Sequence, residues 1–278
     1  MAYKASVIVS VYDNTEFLTI VLDSLKLQTE KDFEIIISED GRSEKMRLFI
    51  ENYSFENDMQ HLTQDDIGWR KNRALNNAIR HAKSDWLIFI DGDCVLHNRF
   101  VEMHVRYARE NDILAGKRVK LDTDTSLFLE SNSPQSISDM QKMLSKRLLF
   151  RKGNIKFIEE SVFISPDGFL RFIPKIRKAR RLVGCNMSFS KKAIYAINGF
   201  DEDYVLPAVG EDTDLVWRFL AAGFQLRSVR NLAVLYHLYH KENWVDRTIN
   251  MNKMMDNQQK NRYICKNGLI IQNHDSTI

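Results

Sequence analysis

The sequence predicts an α/β fold in which a mostly parallel sheet is flanked by helices. Two observations carry that prediction. Short β-branched runs alternate with stretches of helical period, and polar clusters stand where three of those runs end. Gly and Pro are scarce, at 11 and 4 in 278 residues, so no linker divides the chain and a single domain over 1–278 is expected.

Each element has its own local reason. ASVIVSVY, Ala5 to Tyr12, is a β-branched run of the kind buried in parallel sheets. Asn14 then offers an N-cap, and Phe17, Val21 and Leu25 recur at helical spacing with Leu18 and Leu22 beside them. DFEIIIS is a second strand, and EDGRSE combines turn chemistry with a second helix start. RKNRALNNAIRHA reads as a helix with Ala74, Ala78 and Ala82 along one side; DWLIFI is the next strand and NRFVEMHVRYARE the next helix. Such alternation implies right-handed crossovers, with ligands bound beyond the carboxyl ends of the strands. Tyr12-Asp13, Glu39-Asp40 and Asp91-Gly92-Asp93 all fall there.

From Asp122 to Leu182 the pattern loosens into polar, turn-rich sequence, a helical KMLSKRLLF, and the basic stretch KIRKARR from Lys175 to Arg181. We expect an insertion over one edge of the sheet. Order returns at LVGCNMSFSKKAIYAINGFDEDY. EDTDLVWRFLAAG is a helix with Leu215, Phe219 and Ala222 on one face and Gly223 at its end. LRSVRNLAVLYHLYH suggests two short strands, and the tail after them a partly amphipathic helix. The divisions are therefore 1–121, 122–182, 183–245 and 246–278.

Composition excludes several classes. With 44% hydrophobic and 28% charged residues, the chain is neither disordered nor a membrane protein. A net charge of +3 does not call for nucleic acid. Cys94, Cys185 and Cys265 lack CxxC spacing, which favours a reducing compartment and argues against a structural zinc site. No apolar run reaches the ~20 residues of a bilayer span, and the N-terminus enters a strand pattern directly. A cytoplasmic location is expected.

Asp91 and Asp93, one residue apart at a strand end, would repel unless a cation lies between them. Hard divalent cations, Mg²⁺ or Mn²⁺, favour such carboxylates and accept phosphates as further ligands. A solvated turn is the alternative; a calcium loop fails because Val95 stands where an oxygen ligand is needed. Glu211-Asp212 opens a helix, where capping charge is one reading, and His237 and His240 follow an apolar strand.

Taken in order, VIVSVYDN, IIISEDGRSE, GWRKNRALNNAI, FIDGDC, NMSFSKKAIYAINGFDED, GEDTDLVWRFLAAG and VLYHLYHKEN resemble the inverting GT-A glycosyltransferases. The likeness is to family-two enzymes of bacterial surface-polysaccharide synthesis, and it covers about 5–120 and 183–245. The last three segments are similar to the C-terminal part of galactosyl- and N-acetylgalactosaminyl-transferring members. The resemblance implies a GT-A fold with a C-terminal acceptor-side extension and a UDP-sugar donor. Val11, Tyr12, Asp13, Glu39 and Asp40 would line the uracil pocket, and Arg70 would contact the nucleotide. Asp91 and Gly92 would lie at the ribose or metal, and Asn186 and Met187 near the donor sugar. Asp93 and His237 would hold Mn²⁺ (or Mg²⁺), with His240 as the alternative ligand or a diphosphate contact. Asp212 would be the base and Glu211 an acceptor partner. The acceptor would be a saccharide or a polyprenyl-diphosphate-linked glycan, reached at a membrane face through Lys175–Arg181.

There are departures. Ser10 stands for the usual Pro and Glu39 for the usual Asp. LPAVG replaces the Trp-Gly-Gly of many relatives, leaving Trp69 or Trp217 as an aromatic platform. A sugar nucleotidyltransferase is the second reading, although SVYDNTEF is no Gly-rich phosphate loop. A non-catalytic glycan- or nucleotide-binding module is the third.

Overall fold

The computed structural model describes residues 3–130, 135–150, 154–241 and 245–270. The first half runs β1 (Ala5–Val11), α1 (Thr15–Lys26), β2 (Phe33–Glu39), α2 (Glu44–Asn52), β3 (Met59–Leu62), α3 (Lys71–His81), β4 (Trp86–Asp91), β5 (Cys94–Leu96), α4 (Phe100–Arg106), β6 (Asp112–Ala115) and β7 (Val119–Lys120). The second runs α5 (Thr123–Glu130), α6 (Gln135–Phe150), a 3₁₀ turn (Ile158–Ser161), α7 (Phe172–Ile176), β8 (Met187–Ser190), α8 (Lys191–Ala196), α9 (Thr213–Ala221), β9 (Gln225–Ser228), β10 (Leu235–His237) and α10 (Thr248–Gln259).

Seven strands form the main sheet in the order β3-β2-β1-β4-β8-β6-β9. β1 pairs in parallel with β2 and β4, while β8 lies antiparallel between β4 and β6. Alternation along the strands fills both faces. Val7 and Val9 join Leu18, Leu22 and Phe100 on one side. Ile8, Leu87 and Phe89 join Leu75, Ile79, Ile194 and Phe219 on the other. The expected N-cap is present: the Asn14 side chain accepts from the Phe17 amide at 2.8 Å. Gly223 ends α9 at φ +88°, a backbone region that a side chain disfavours.

Five strands escaped the sequence reading, among them β8, whose MSFS lies inside a segment read only as ordered. β3 is a half-buried edge without period-two alternation, β6 opens on a charged residue, and β5 and β7 have only three and two residues. β5, β10 and β7 make a second, three-stranded sheet. The insertion is divided between the two sheets: Leu129, Ile137, Met140 and Leu144 of α5 and α6 pack on Val95, Val119 and Tyr236 of the small sheet and on Ile20 of α1, while Leu182 at its end packs with Ile113 and Leu226 at the β9 edge of the main sheet. The tail also does more than form a helix. Beyond α10 it returns to the α3 side, where the carbonyls of Gly268 and Leu269 accept from Arg80 at 2.8 and 3.0 Å. Among the described residues no helix is long and apolar enough to cross a membrane.

Candidate active site

Strand register brings the polar clusters together. Val11 pairs with Glu39 and Ser10 with Asp91, so β1, β2 and β4 end in one line. The chain leaves β4 tightly: the Gly92 amide donates to the Ser10 carbonyl at 2.8 Å. A Cβ on Gly92 would lie 2.8 Å from Val11 Cγ1, so the close approach requires glycine. The small sheet places the other half. Cys94 of β5 sits opposite His237 of β10, and the Leu238 amide donates to the Asp93 carbonyl at 2.9 Å.

Asp91 and Asp93 therefore face different partners. Asp93 Oδ2 lies 3.1 Å from His240 Nε2 and 3.4 Å from His237 Nε2. Burial opposes ionisation of Asp93, but the His240 hydrogen bond, the two imidazoles and the Cys94 thiol pull its carboxyl down to about 2. Asp91 instead meets Lys71, the first residue of α3, at 2.8 Å, and the same ammonium meets Glu211 at 2.8 Å. Burial would push Lys71 down, yet the two carboxylates hold it well above the usual range. One cation serves two acids. The trio keeps a net negative charge, and burial pushes the Glu211 carboxyl up, reinforced by Asp91 and Asp212 against Lys71. The acidic pair is thus drawn to the end of β4. Glu211 shares a small enclosed space with Ser10, Asp91, Gly184 and Met187. Asp212 is half-buried at the N-cap of α9, where it accepts from the Thr213 hydroxyl at 3.0 Å.

Tyr12, Asp13 and Glu39 line an open cleft of about 310 Å³ with Arg42 and Asp66. The Tyr12 hydroxyl donates to Asp66 at 2.9 Å. Within this group several carboxylates already have protein partners. Glu39 accepts from the Ser43 amide at 2.6 Å and pairs with His61 at 2.7 Å. Asp40 accepts from Gln64 at 2.7 Å and from the Arg70 amide at 2.8 Å, which fastens the start of α3 to the end of β2. The Arg70 guanidinium donates to the Trp69 carbonyl at 3.0 Å.

Asn186 precedes Met187, which lines the space shared by Asp91 and Glu211. Asn186 is fully buried, donates to the carbonyls of Lys117 and Ala233 at 2.7 and 3.0 Å, and pairs with His104 at 3.2 Å. Its amide is occupied in holding the backbone around β8. Trp217 likewise donates to Asp214 at 2.9 Å inside a buried network with Tyr204 and Arg218, which leaves half-buried Trp69 as the available aromatic.

Lys71 was not singled out by sequence reasoning. Its signal was a cation at the first turn of a helix facing a strand-end Asp, one residue after the Arg70 that was chosen. Arg118, half-buried beside Cys185 at 4.0 Å, was missed as well. The backbone before the acidic pair is strained: Ala208 and Val209 have φ of 68° and 72°, costly for a β-branched residue. Asn250 of α10 holds that segment by donating to the carbonyls of Leu206 and Ala208 at 2.9 and 2.7 Å.

One carboxylate and two imidazoles form a donor set suited to a divalent cation of the manganese type, more so than to Mg²⁺, which prefers all-oxygen ligands. Asp93 with His237 and His240 fits that requirement.

Residues 6–173 match the model of glycosyl transferase family 2, and residues 172–241 match one described as the N-terminal domain of galactosyltransferase. A chondroitin synthase of Escherichia coli is 26% identical over 256 residues, which cover 89% of this chain and 37% of that protein. The chain thus spans little more than a third of the synthase's length. Among solved structures, S. aureus TarS 1–349 in complex with UDP-GlcNAc has a TM-score of 0.55 at 14% identity, covering 90% of this chain and 64% of that one. The mannosyltransferase PcManGT from Pyrobaculum calidifontis, in complex with GDP-Man and Mn²⁺, has a TM-score of 0.55 at 13% identity, covering 88% and 59%. These neighbours share the GT-A-like arrangement of strands and helices. With the family model spanning more than half of its residues, the chain belongs to glycosyl transferase family 2.

Proposed function

We propose that the chain is a single catalytic domain that moves a hexose or N-acetylhexosamine from a UDP-sugar to a saccharide acceptor, with inversion. The observation that carries this reading is the convergence at the sheet's carboxyl edge. Asp91, Asp93 and His237 lie there with Glu211, and Asp212 follows Glu211 directly. Galactose or N-acetylgalactosamine is favoured as the donor sugar by the match of residues 172–241 to a galactosyltransferase model. Synthesis of a surface polysaccharide, O-antigen or capsule, fits the kinship with a chondroitin synthase.

The base would sit in the cleft of Tyr12 and Asp13. Asp93, His237 and His240 would hold Mn²⁺, which would offset the negative charge gathering on the departing diphosphate. Every other step falls to the chain itself. Lys71 fixes Glu211 in place and spreads positive charge between it and Asp91. Glu211 would hydrogen-bond the acceptor. Asp212, whose carboxylate meets no ammonium among the described residues, would take the proton from the attacking hydroxyl; a positioned base is worth typically ~10²–10⁴-fold. On this reading Asp212 acts as a base and not as a nucleophile, and a single displacement would turn an α-linked donor into a β-linked product.

A donor screen by UDP release, with and without Mn²⁺, tests this directly. We expect Asp212→Asn to lose transfer by ~10²-fold or more while still binding donor, and Asp93→Ala to lose Mn²⁺-dependent donor binding in calorimetry. Near-normal turnover by Asp212→Asn refutes the base; unchanged affinity in Asp93→Ala refutes the metal role. Release of pyrophosphate from UTP and a sugar phosphate would favour a nucleotidyltransferase instead.

A further inference from the structure

Cys94 stands where the proposed reaction gives no role to a thiol. It is the residue after Asp93, it is fully buried, and it pairs across the small sheet with His237. The Cys94 thiol donates to Asp93 Oδ1 at 3.2 Å. A carboxylate oxygen of Asp93, the Cys94 sulfur and a ring nitrogen of His237 all lie within 4.8 Å of one another. His240, whose ring is 42% exposed at the rim, brings Nε2 to 3.1 Å from Asp93.

These distances have a simple reading. Bond lengths of ~2.0–2.1 Å to nitrogen or oxygen and ~2.3 Å to sulfur make the edges of a tetrahedral zinc site about 3.3–3.6 Å long. Cys94 Sγ lies 3.2 Å from Asp93 Oδ1, and His237 and His240 Nε2 lie 3.4 and 3.1 Å from Asp93 Oδ2, so a small turn of the carboxylate offers one oxygen to all three at close to these edges. The β5–β10 register fixes two of the ligands before any ion arrives, so ordering cost is small. Manganese, a harder ion, gains little from a thiol and draws further oxygens from a diphosphate. Zinc stands above manganese in affinity for nitrogen and sulfur ligands and needs only four of them.

We propose that Asp93, Cys94 and His237 form a preset, thiolate-containing site for a zinc-class cation when no nucleotide is bound, with His240 turning in from the rim as the fourth ligand of a tetrahedron. The thiol proton passes to buffer as the Zn–S bond forms, and no redox change occurs. Zinc held in this way would close the positions that a diphosphate needs, and so inhibit. That consequence rests on the metal-assisted transfer proposed above; the binding itself does not.

The test is spectroscopic and uses the whole chain. Cobalt(II) added to the metal-free protein should give a thiolate-to-metal charge-transfer band and the intense visible bands of four-coordinate cobalt. X-ray absorption of the zinc-loaded wild type should find one sulfur at ~2.3 Å. Cys94→Ser should abolish the charge-transfer band and weaken zinc by about 100-fold or more, at least what loss of an outer-shell partner costs. Cys185→Ser should keep both. A zinc shell of nitrogen and oxygen only, or a cobalt spectrum that survives Cys94→Ser, overturns the proposal. Because the X-ray absorption measurement uses unmutated protein, misfolding of a variant cannot obscure the result. If zinc binds with one sulfur but UDP-sugar turnover is absent with every metal, the transfer reading fails and the site stands.

Discussion

At the scale of single residues, Lys71 organises the site. Its side chain is only 17% exposed and touches two carboxylates, so removing the ammonium strands both in a poorly solvated space. Breaking a buried pair from one side typically costs 3–5 kcal/mol. We expect Lys71→Gln to lower the unfolding free energy by about that much, read as a lower denaturant midpoint at constant m-value, and to cut transfer well beyond the stability loss, because Glu211 would no longer be held. Unchanged stability would mean that solvent screens the trio. Legibility at this scale is uneven for a physical reason. Asp91 and Asp93 announce themselves because adjacent acids at a strand end demand a counter-charge. Lys71 does not, because a lysine at a helix start is usually a solvated surface charge. Asn186 shows a different limit: its amide is engaged by backbone carbonyls, which no local pattern reveals.

At the scale of elements, long periodic segments were readable and short ones were not. β1, α1, β2, α3 and β4 carry enough apolar period to declare themselves, whereas three-residue β5 does not, although it fixes Cys94 against His237. Connections between elements were equally hidden. His104 of α4 pairs with Ser188 of β8 at 2.8 Å and with Asn186 at 3.2 Å, entirely buried. Burial pushes its imidazole down to about 3, and burial also lowers His97 to about 4, both below the ~6.5 of an unfolded chain. As pH falls below ~6.5 the unfolded state takes up protons that the native state refuses, so stability drops by about 1.4 kcal/mol per unit for each group. The sign is that of a histidine depressed on folding: the stability is present above pH ~6.5 and lost as pH falls toward 3–4. Urea unfolding at pH 7 and pH 5 should therefore show the gap between wild type and His104→Gln shrinking by about 2 kcal/mol at the lower pH. A gap that stays constant would mean that water reaches the imidazole.

At the scale of the whole molecule, the site and the insertion lie on a scaffold that leaves one region unusually apolar. Around α7, Phe169 is 93% and Ile176 71% exposed, with Leu170 and Phe172 also open to solvent. Exposed Arg171, Lys175, Lys178, Arg180 and Arg181 surround them, while Arg177 turns inward to Glu160 at 2.8 Å. The sequence showed the basic stretch but not its apolar companions, because only the fold shows that Phe169 and Phe172 are left uncovered. Large apolar side chains ringed by cations suit an anionic bilayer, where each basic residue contributes about 1 kcal/mol and the rings add their buried area. Such contact at the inner membrane face would carry the site to a polyprenyl-diphosphate-linked acceptor. Flotation with phosphatidylglycerol vesicles should capture the protein, weakening as salt shortens the screening length. Phe169→Ser with Ile176→Ser should lower capture at every salt concentration, whereas Lys175→Gln with Lys178→Gln should abolish mainly the salt-sensitive part. Equal recovery with neutral and anionic vesicles, or capture indifferent to all four substitutions, would remove the membrane from this face and leave a protein partner to cover it.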